Sequence, residues 1–315
     1  MKVFLSFDIE VWCNDWQQLD ARFPGSFDRY VYGRSSRGNY ALPKTLEILQ
    51  RHGLLGVFFV EPLFSARFGK QYLREIVQLI ASAGQDVQLH LHPEWTDEIR
   101  PKLIPDCDNK RQHLIYYSLD EQVALIGWGK QALENILGRP ITAFRAGSYA
   151  ANNDTFAALA RNGIPFDSSL NGCMWVDGSD LRQPIAEGAP WCCGPVTTFP
   201  VAVFRDGLGR YRPAQVGACA FAEFKQALLN AQARGCEHFV IVSHNFEMLR
   251  PQRSDPDLIV ARRFERLCGF LSEHRDLFQV GSFATPSGTA IWQTPTVTAL
   301  ATGRRYAEQL LRRLG

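Results

Sequence analysis

The sequence has no stretch approaching the roughly 18 uncharged apolar residues of a membrane span, so no transmembrane segment is expected. It has no strong charge of either sign. Its 34 Lys and Arg against 32 Asp and Glu leave +2, which gives no reason to expect nucleic acid or an anionic membrane as a main partner. It has no CxxC pair: the eight cysteines (13, 107, 173, 192, 193, 219, 236, 268) are scattered, and vicinal Cys192-Cys193 would make a poor disulfide. Reduced thiols in a cytoplasmic protein are the simplest account. No signal-peptide core is visible, because only five apolar-leaning residues separate Lys2 from Asp8; they read better as a strand. There is no Gly-rich phosphate loop of either nucleotide-binding type, no internal repeat, and no Pro/Gly/Ser linker.

What is present is ordinary in bulk. Hydrophobic residues make up 46% and charged residues 21% of 315, enough for a sizeable core in one large α/β domain or two modest ones. Apolar strand-like runs alternate with helical periods along the chain. Strands are expected at the start, then over Leu54 to Val60, Asp86 to Leu91, Ile141 to Arg145, Pro165 to Ser169, Phe199 to Phe204, His238 to Ser243 and Phe278 to Ser282. Between and after them, helices are expected over Leu42 to His52, Gln71 to Ala83, Leu119 to Leu137, Asn153 to Asn162, Ala220 to Arg234, Asp257 to His274 and Ala299 to Leu314. Cys13 to Asn39 shows no sustained period and reads as a loop walling a site. In the last helix Arg304, Arg305, Arg312 and Arg313 read as a solvated face. Interleaved elements of these lengths predict parallel βαβ units closing into a single barrel-like domain over 1–315.

A barrel builds its site at the C-terminal ends of its strands. Five of those ends deliver polar groups directly after apolar runs: Asp8 and Glu10; His90 and His92; Arg145 to Tyr149; Asp167-Ser168-Ser169; and Ser243-His244-Asn245. Three of the chain's seven histidines fall in this set. Side chains two apart on a strand share a face, so Asp8 pairs with Glu10 and His90 with His92. Two histidines and a carboxylate with open positions is the catalytic zinc pattern, and it also suits non-haem iron.

Taken in order, Leu5-Ser-Phe-Asp8-Ile-Glu10, His90-Leu-His92-Pro93, Phe144-Arg145-Ala-Gly-Ser-Tyr149, Asp167-Ser168-Ser169 and Ser243-His244 resemble the motif series of the polysaccharide deacetylase family (NodB homology, carbohydrate esterase 4). The resemblance spans roughly residues 2 to 282. It implies a distorted (β/α) barrel of about seven parallel strands, and a hydrolase that removes N-acetyl groups from amino sugars with one divalent metal, Zn2+ being the first choice. Two positions depart from the family pattern. The usual adjacent aspartates are replaced by Asp8-Ile9-Glu10, similar to the lipid-linked aminoarabinose deformylases. The usual His-x-x-x-His finds Gln88 four before His92, so that His90 is expected to replace the missing ligand.

The resemblance implies Asp8 as base, Glu10, His90 and His92 as metal ligands, Arg145 as the partner that orients Asp8, and His244 as general acid. A backbone N–H near Ser148 and Tyr149 would face the oxyanion. Ser148, Tyr149, Trp95 and Asp167 are the expected substrate-binding residues, Asp167 having also a structural reading. Trp12, Trp16, Trp95 and Trp175 would be sugar platforms or buried loop anchors. With no signal peptide, the expected substrate is a lipid-linked or nucleotide-linked amino sugar or a soluble saccharide precursor. Alternatives are an amidohydrolase of allantoinase or imidase type on a small C–N substrate, and an inactive saccharide-binding homologue. The sugar, the acyl group and the oligomeric state are not legible.

Overall fold

Lys2–Ile9 (β1) has two destinations for its side chains, and the rest of the fold follows from that division. Val3, Leu5, Phe7 and Ile9 join the large apolar cluster under the surrounding helices. Phe4 joins a second, smaller cluster with Val57, Phe59, Ala143, Phe199, Val240 and Phe283. Period-two alternation puts Ser6, Asp8 and Glu10 on the Phe4 side. The interior of the fold is therefore apolar at its base and polar at its top. The computed structural model describes residues 1–105, 107–181, 188–250, 255–286 and 292–314.

Gly56–Val60 (β2), Asp86–Leu91 (β3), Ala143–Ala146 (β4), Phe166–Asp167 (β5), Trp191–Cys193 (β6), Val196–Thr198 (β7), His238–His244 (β8) and Gln279–Val280 (β9) complete the main sheet. Its order is β8-β1-β2-β3-β4-β5-β7-β6, with β9 pairing the first residues of β1. All pairings are parallel except β6 with β7. The sheet curls, and an irregular segment bridges its sides. Phe199 N donates to Asp167 O and Val201 N to Leu170 O, while Ala202 N donates to Val240 O on β8. The expected distorted α/β barrel is present.

Helices alternate with the strands as expected. Leu42–His52 (α2) has Pro43 in its first turn and Gly53 at φ 58° after its last, the left-handed stop that glycine allows. Lys70–Ser82 (α3), Leu119–Leu137 (α4), Asn153–Arg161 (α5), Phe221–Ala233 (α6), Leu258–Glu273 (α7) and Ala299–Leu314 (α8) follow.

Three sequence expectations need correction. Cys13 to Asn39 is not simply a loop: it holds Leu19–Phe27 (α1), a π-helical turn Asp28–Tyr32 and a ribbon Arg34–Ser35/Gly38–Asn39. Pro24 sits inside α1, yet Leu19, Phe23 and Phe27 are buried on one stripe. Three such burials, each about 1.5–3 kcal/mol, outweigh the roughly 3 kcal/mol cost of an interior proline. Of the expected strand Phe199 to Phe204, Val203 and Phe204 lie in a strand, Val203–Arg205, whereas Phe199 to Ala202 is the bridging segment; Pro200 cannot donate to a ladder. The arginines of α8 are not all solvated. Arg305 is 1% exposed, 2.8 Å from Asp206 and 3.4 Å from Glu223, where α8 packs against α6.

Candidate active site

The top of the interior gathers side chains from four strand ends. Glu10 Oε1 lies 3.0 Å from His90 Nε2 and 3.0 Å from His92 Nε2, all three residues buried. His90 Nδ1 is 2.7 Å from the Arg145 carbonyl oxygen, which accepts only, so Nδ1 carries a proton and Nε2 is the nitrogen turned toward Glu10. His92 Nδ1 faces the Glu94 carboxylate at 3.1 Å, the carboxylate–histidine arrangement that orients a metal-binding imidazole. Trp12 Nε1 donates to the other Glu10 oxygen at 2.6 Å. Burial alone would push the Glu10 carboxyl up, but the charge on His92 and hydrogen bonds from both imidazoles hold it well below the usual range. Burial would pull His92 down, and Glu10 and Glu94 overcome it, holding its imidazole well above the ordinary value. One oxygen and two nitrogens within 4.8 Å of one another fit a divalent cation such as zinc. Gln88, where a second family histidine would stand, is committed elsewhere: its Oε1 accepts from the amides of Thr142 and Ala143.

Beside this set, Asp8 Oδ1 accepts from Arg145 Nη1 at 2.7 Å. Arg145 is wholly buried and also donates to Ser168 O, Ser168 Oγ and Ser6 Oγ, with its guanidinium 4.4 Å above the Phe59 ring. Asp8 is thus held on one side. Its other oxygen faces His244 Nε2 at 3.9 Å across the β1–β8 register, which pairs the two residues directly.

His244 Nδ1 lies 2.9 Å from Glu247 Oε1. Gln215 Nε2, Gly217 N and Ser243 Oγ all donate to that carboxylate and fix it. A Cβ on Gly217 would lie 2.8 Å from Glu247 Oε2, so glycine is what lets the loop approach. Burial lowers the His244 pKa, but the hydrogen bond to Glu247 and the charges of Glu10, Glu247 and Asp8 raise it to about 9. Because the folded value exceeds the unfolded one, this pairing stabilises the metal-free fold fully below about pH 6.5. That contribution fades as pH rises through about 9. A urea denaturation series between pH 6 and 10 on metal-free protein should show the decline, and Glu247→Gln should flatten it.

Two clefts open beside these groups. One, of about 620 Å³, is lined by Trp12, Trp16, Tyr30, Glu94 and Lys110. The other, of about 510 Å³, contains His244 and Glu247, and the two share Asn14 and Tyr30. The Tyr149 phenol is half-buried, and burial and then the charge of Asp8 push its pKa well up, so it stands neutral near that carboxylate. Ser148 and Tyr149 both adopt left-handed backbone, φ 54° and 57°, uncommon for non-glycine residues. Trp175, 47% exposed, lines a small cleft with Tyr149.

Two expected substrate-binding residues are placed differently. Trp95 is 1% exposed, with ring centres of Trp16, Phe68 and Trp12 at 4.9, 5.7 and 6.2 Å; it supports the outer tryptophans from beneath and lines the inner wall of the cleft they share. Asp167 is buried and accepts from Ser169 N at 2.9 Å, Ser169 Oγ and Thr198 Oγ1 at 2.8 Å, which ties β5 to β7. Burial pushes its carboxyl up.

Sequence reasoning missed Glu94, Gly147, Asn245 as a positioning group, and Glu247. Asn245 clamps Glu10, accepting from its amide at 3.2 Å and donating to its carbonyl at 3.0 Å. A carboxylate two residues after His92 and another three after His244 were the available signals. A Cβ on Gly147 would sit 2.6 Å from His92 Cε1 and Nδ1. Gly147→Ala should therefore displace that imidazole and weaken zinc binding about 10- to 100-fold, the range for lost outer-shell support. Competition with a fluorescent chelator measures this.

No family model matches the sequence, and no curated protein matches it. Among solved structures, a candidate polysaccharide deacetylase from Mycobacterium smegmatis superposes with a TM-score of 0.50 at 18% identity, covering 91% of this chain and 94% of that one. A family 4 carbohydrate esterase from Streptomyces lividans, solved with acetate, gives 0.44 at 14% identity over 93% and 97%. A wild-type CE4-family pseudoenzyme from Bacillus anthracis gives 0.40 at 12% identity over 86% and 60%. The first likeness shows a shared fold.

Proposed function

We propose that this protein is a metal-dependent hydrolase that removes an N-acyl group, N-acetyl first among them, from an amino-sugar-containing saccharide or its precursor. One observation carries the reading: a donor set of Glu10, His90 and His92 lies beside an Arg145-held Asp8, with His244 facing that same Asp8 from the adjoining strand. Bound there, a divalent cation would polarise the amide carbonyl and acidify a water.

The chain supplies the proton traffic. Asp8, with Oδ1 fixed by Arg145, has Oδ2 free to take a proton from the attacking water. His244, protonated at neutral pH and steadied by Glu247, gives its Nε2 proton to the departing nitrogen. That step matters for an amide in particular, because an amine leaves as a neutral molecule only when protonated. The neutral Tyr149 phenol, or a backbone N–H of the left-handed Ser148-Tyr149 segment, would hold the acyl oxygen.

The direct test offers N-acetyl and O-acetyl sugars, lipid-linked saccharides and small amides to zinc-loaded protein, and follows acetate, formate and ammonia. Acetate release from N-acetyl sugars that stops with a chelator and returns with zinc is expected. Ring opening of a cyclic amide, ammonia release from a small primary amide, or release from O-acetyl substrates alone, would overturn the reading. The pH profile gives a second check. The kcat/KM should fall on the alkaline side with an apparent pKa above 6.5 and up to about 9. Glu247→Gln should move that limb to lower pH; a limb that stays put removes His244 as the acid.

A further inference from the structure

The cleft of about 510 Å³ that contains His244 carries more positive charge than the proposed chemistry uses. Arg29, Arg250 and Arg312 line it, all half-buried. Arg312 is accounted for: its Nε lies 2.6 Å from Asp257 Oδ2 and its Nη1 donates to Gly217 O. Arg29 and Arg250 are not. Among the described residues neither guanidinium has a carboxylate partner, and the Arg29 side chain is bonded only to the Arg250 carbonyl, at 3.3 Å. Glu247, the acid on this wall, is already engaged by His244, Gln215 and Gly217. A cleft lined by two half-buried guanidiniums that lack counter-charges among the described residues offers charge-assisted hydrogen bonds to an anion from outside.

The position of the cleft says which part of a substrate that anion belongs to. His244 forms one wall and, under the function proposed above, faces the departing nitrogen. The cleft therefore receives the part of the substrate attached to that nitrogen, the sugar, and not the acyl group. Two unpaired guanidiniums match the roughly two negative charges of a phosphate better than the single charge of a carboxylate, and their planar forks suit its oxygens. The geometry points to a subsite, formed by Arg29 and Arg250 with Arg312 behind them, that binds a phosphate or diphosphate on the amino sugar. The substrate is then an activated or carrier-linked sugar rather than a neutral polymer. This inference rests on the proposed deacylation.

The test compares a neutral N-acetylhexosamine with its 1-phosphate, its nucleoside diphosphate conjugate, a prenyl-diphosphate conjugate in detergent micelles, and an N-acetylated uronic acid. Zinc-loaded protein should favour one or more phosphate-bearing substrates in kcat/KM, and which one wins identifies the carrier. Arg29→Gln and Arg250→Gln should each raise KM for it roughly 10- to 100-fold at little change in kcat, with the neutral substrate unaffected and Arg250→Lys partly restoring binding. Equal kcat/KM for neutral and phosphorylated sugars, or a preference for the uronic acid alone, overturns the subsite and leaves the reaction standing. If no substrate is deacylated, calorimetry with the sugar 1-phosphate decides. Binding that is lost in both Gln variants but kept in His92→Ala upholds the anion site while the reaction fails; no binding, or binding unchanged by the Gln variants, sinks the site as well.

Discussion

Changing Asp8 to Asn should lower kcat/KM on an N-acyl amino sugar by about 10²- to 10⁴-fold, the span of a lost general base, with zinc content unchanged. The separation is possible because the two carboxylates on this strand end have different neighbours. Glu10 faces both imidazoles, whereas Asp8 is tied to Arg145 and faces His244. An asparagine keeps an oxygen for Arg145 Nη1 to bond, so the geometry survives and the proton acceptor does not. His244→Ala should cost a similar factor. The double variant should lose far less than the product of the two, because a base and an acid that serve one bond cleavage act as a unit. His92→Ala should instead strip the metal. Full activity in Asp8→Asn would remove Asp8 as the base, whereas metal loss in that variant would show that the two acids have been given each other's roles; metal analysis alongside steady-state kinetics reads both.

Arg145→Met should cost about 3–5 kcal/mol of stability, because it leaves Asp8 as a buried carboxylate without its partner. Ser6 Oγ and Ser168 Oγ would not suffer in the same way. Each also donates to a backbone carbonyl, of Ile241 and of Phe199, and merely loses a donor on its second side. The methionine would keep the contact with Phe59, so the loss reports charge rather than packing. Adding Asp8→Asn to Arg145→Met should recover a large part of it by removing the stranded charge. Urea unfolding of the four proteins closes that cycle. If Asp8→Asn destabilises Arg145→Met further, the pair is not the electrostatic unit described.

The helices and long strands were legible because burial on one face leaves a period that a reader can count, as in α2 between Pro43 and Gly53. So was the convergence of Asp8, Glu10, His90, His92, Arg145 and His244, since strand parity and strand-end position are properties of sequence. Parity did not distinguish a tryptophan at the surface from one beneath it, and Trp95 lies under Trp12 and Trp16. The segment from Leu19 to Phe27 hid its helix behind Pro24 and Gly25, because local propensity was overruled by contacts with distant residues, such as Phe23 on Phe68 at 3.8 Å between ring centres. Gly147 shows the remaining limit most clearly. Its role is to be absent where His92 needs room, and nothing in the order of residues announces a missing atom.

Beneath Arg145 the interior is filled by Phe4, Phe59, Phe199 and Phe283, with ring centres of neighbouring pairs 4.5 to 5.9 Å apart. The proposed reaction chamber is consequently a cul-de-sac. Among the described residues no exit opens through this aromatic floor, so acid and amine, once formed, must leave on the upper side, where the two clefts open. Both products leave past the groups that received the substrate, so the one that lingers would compete with the next molecule for them.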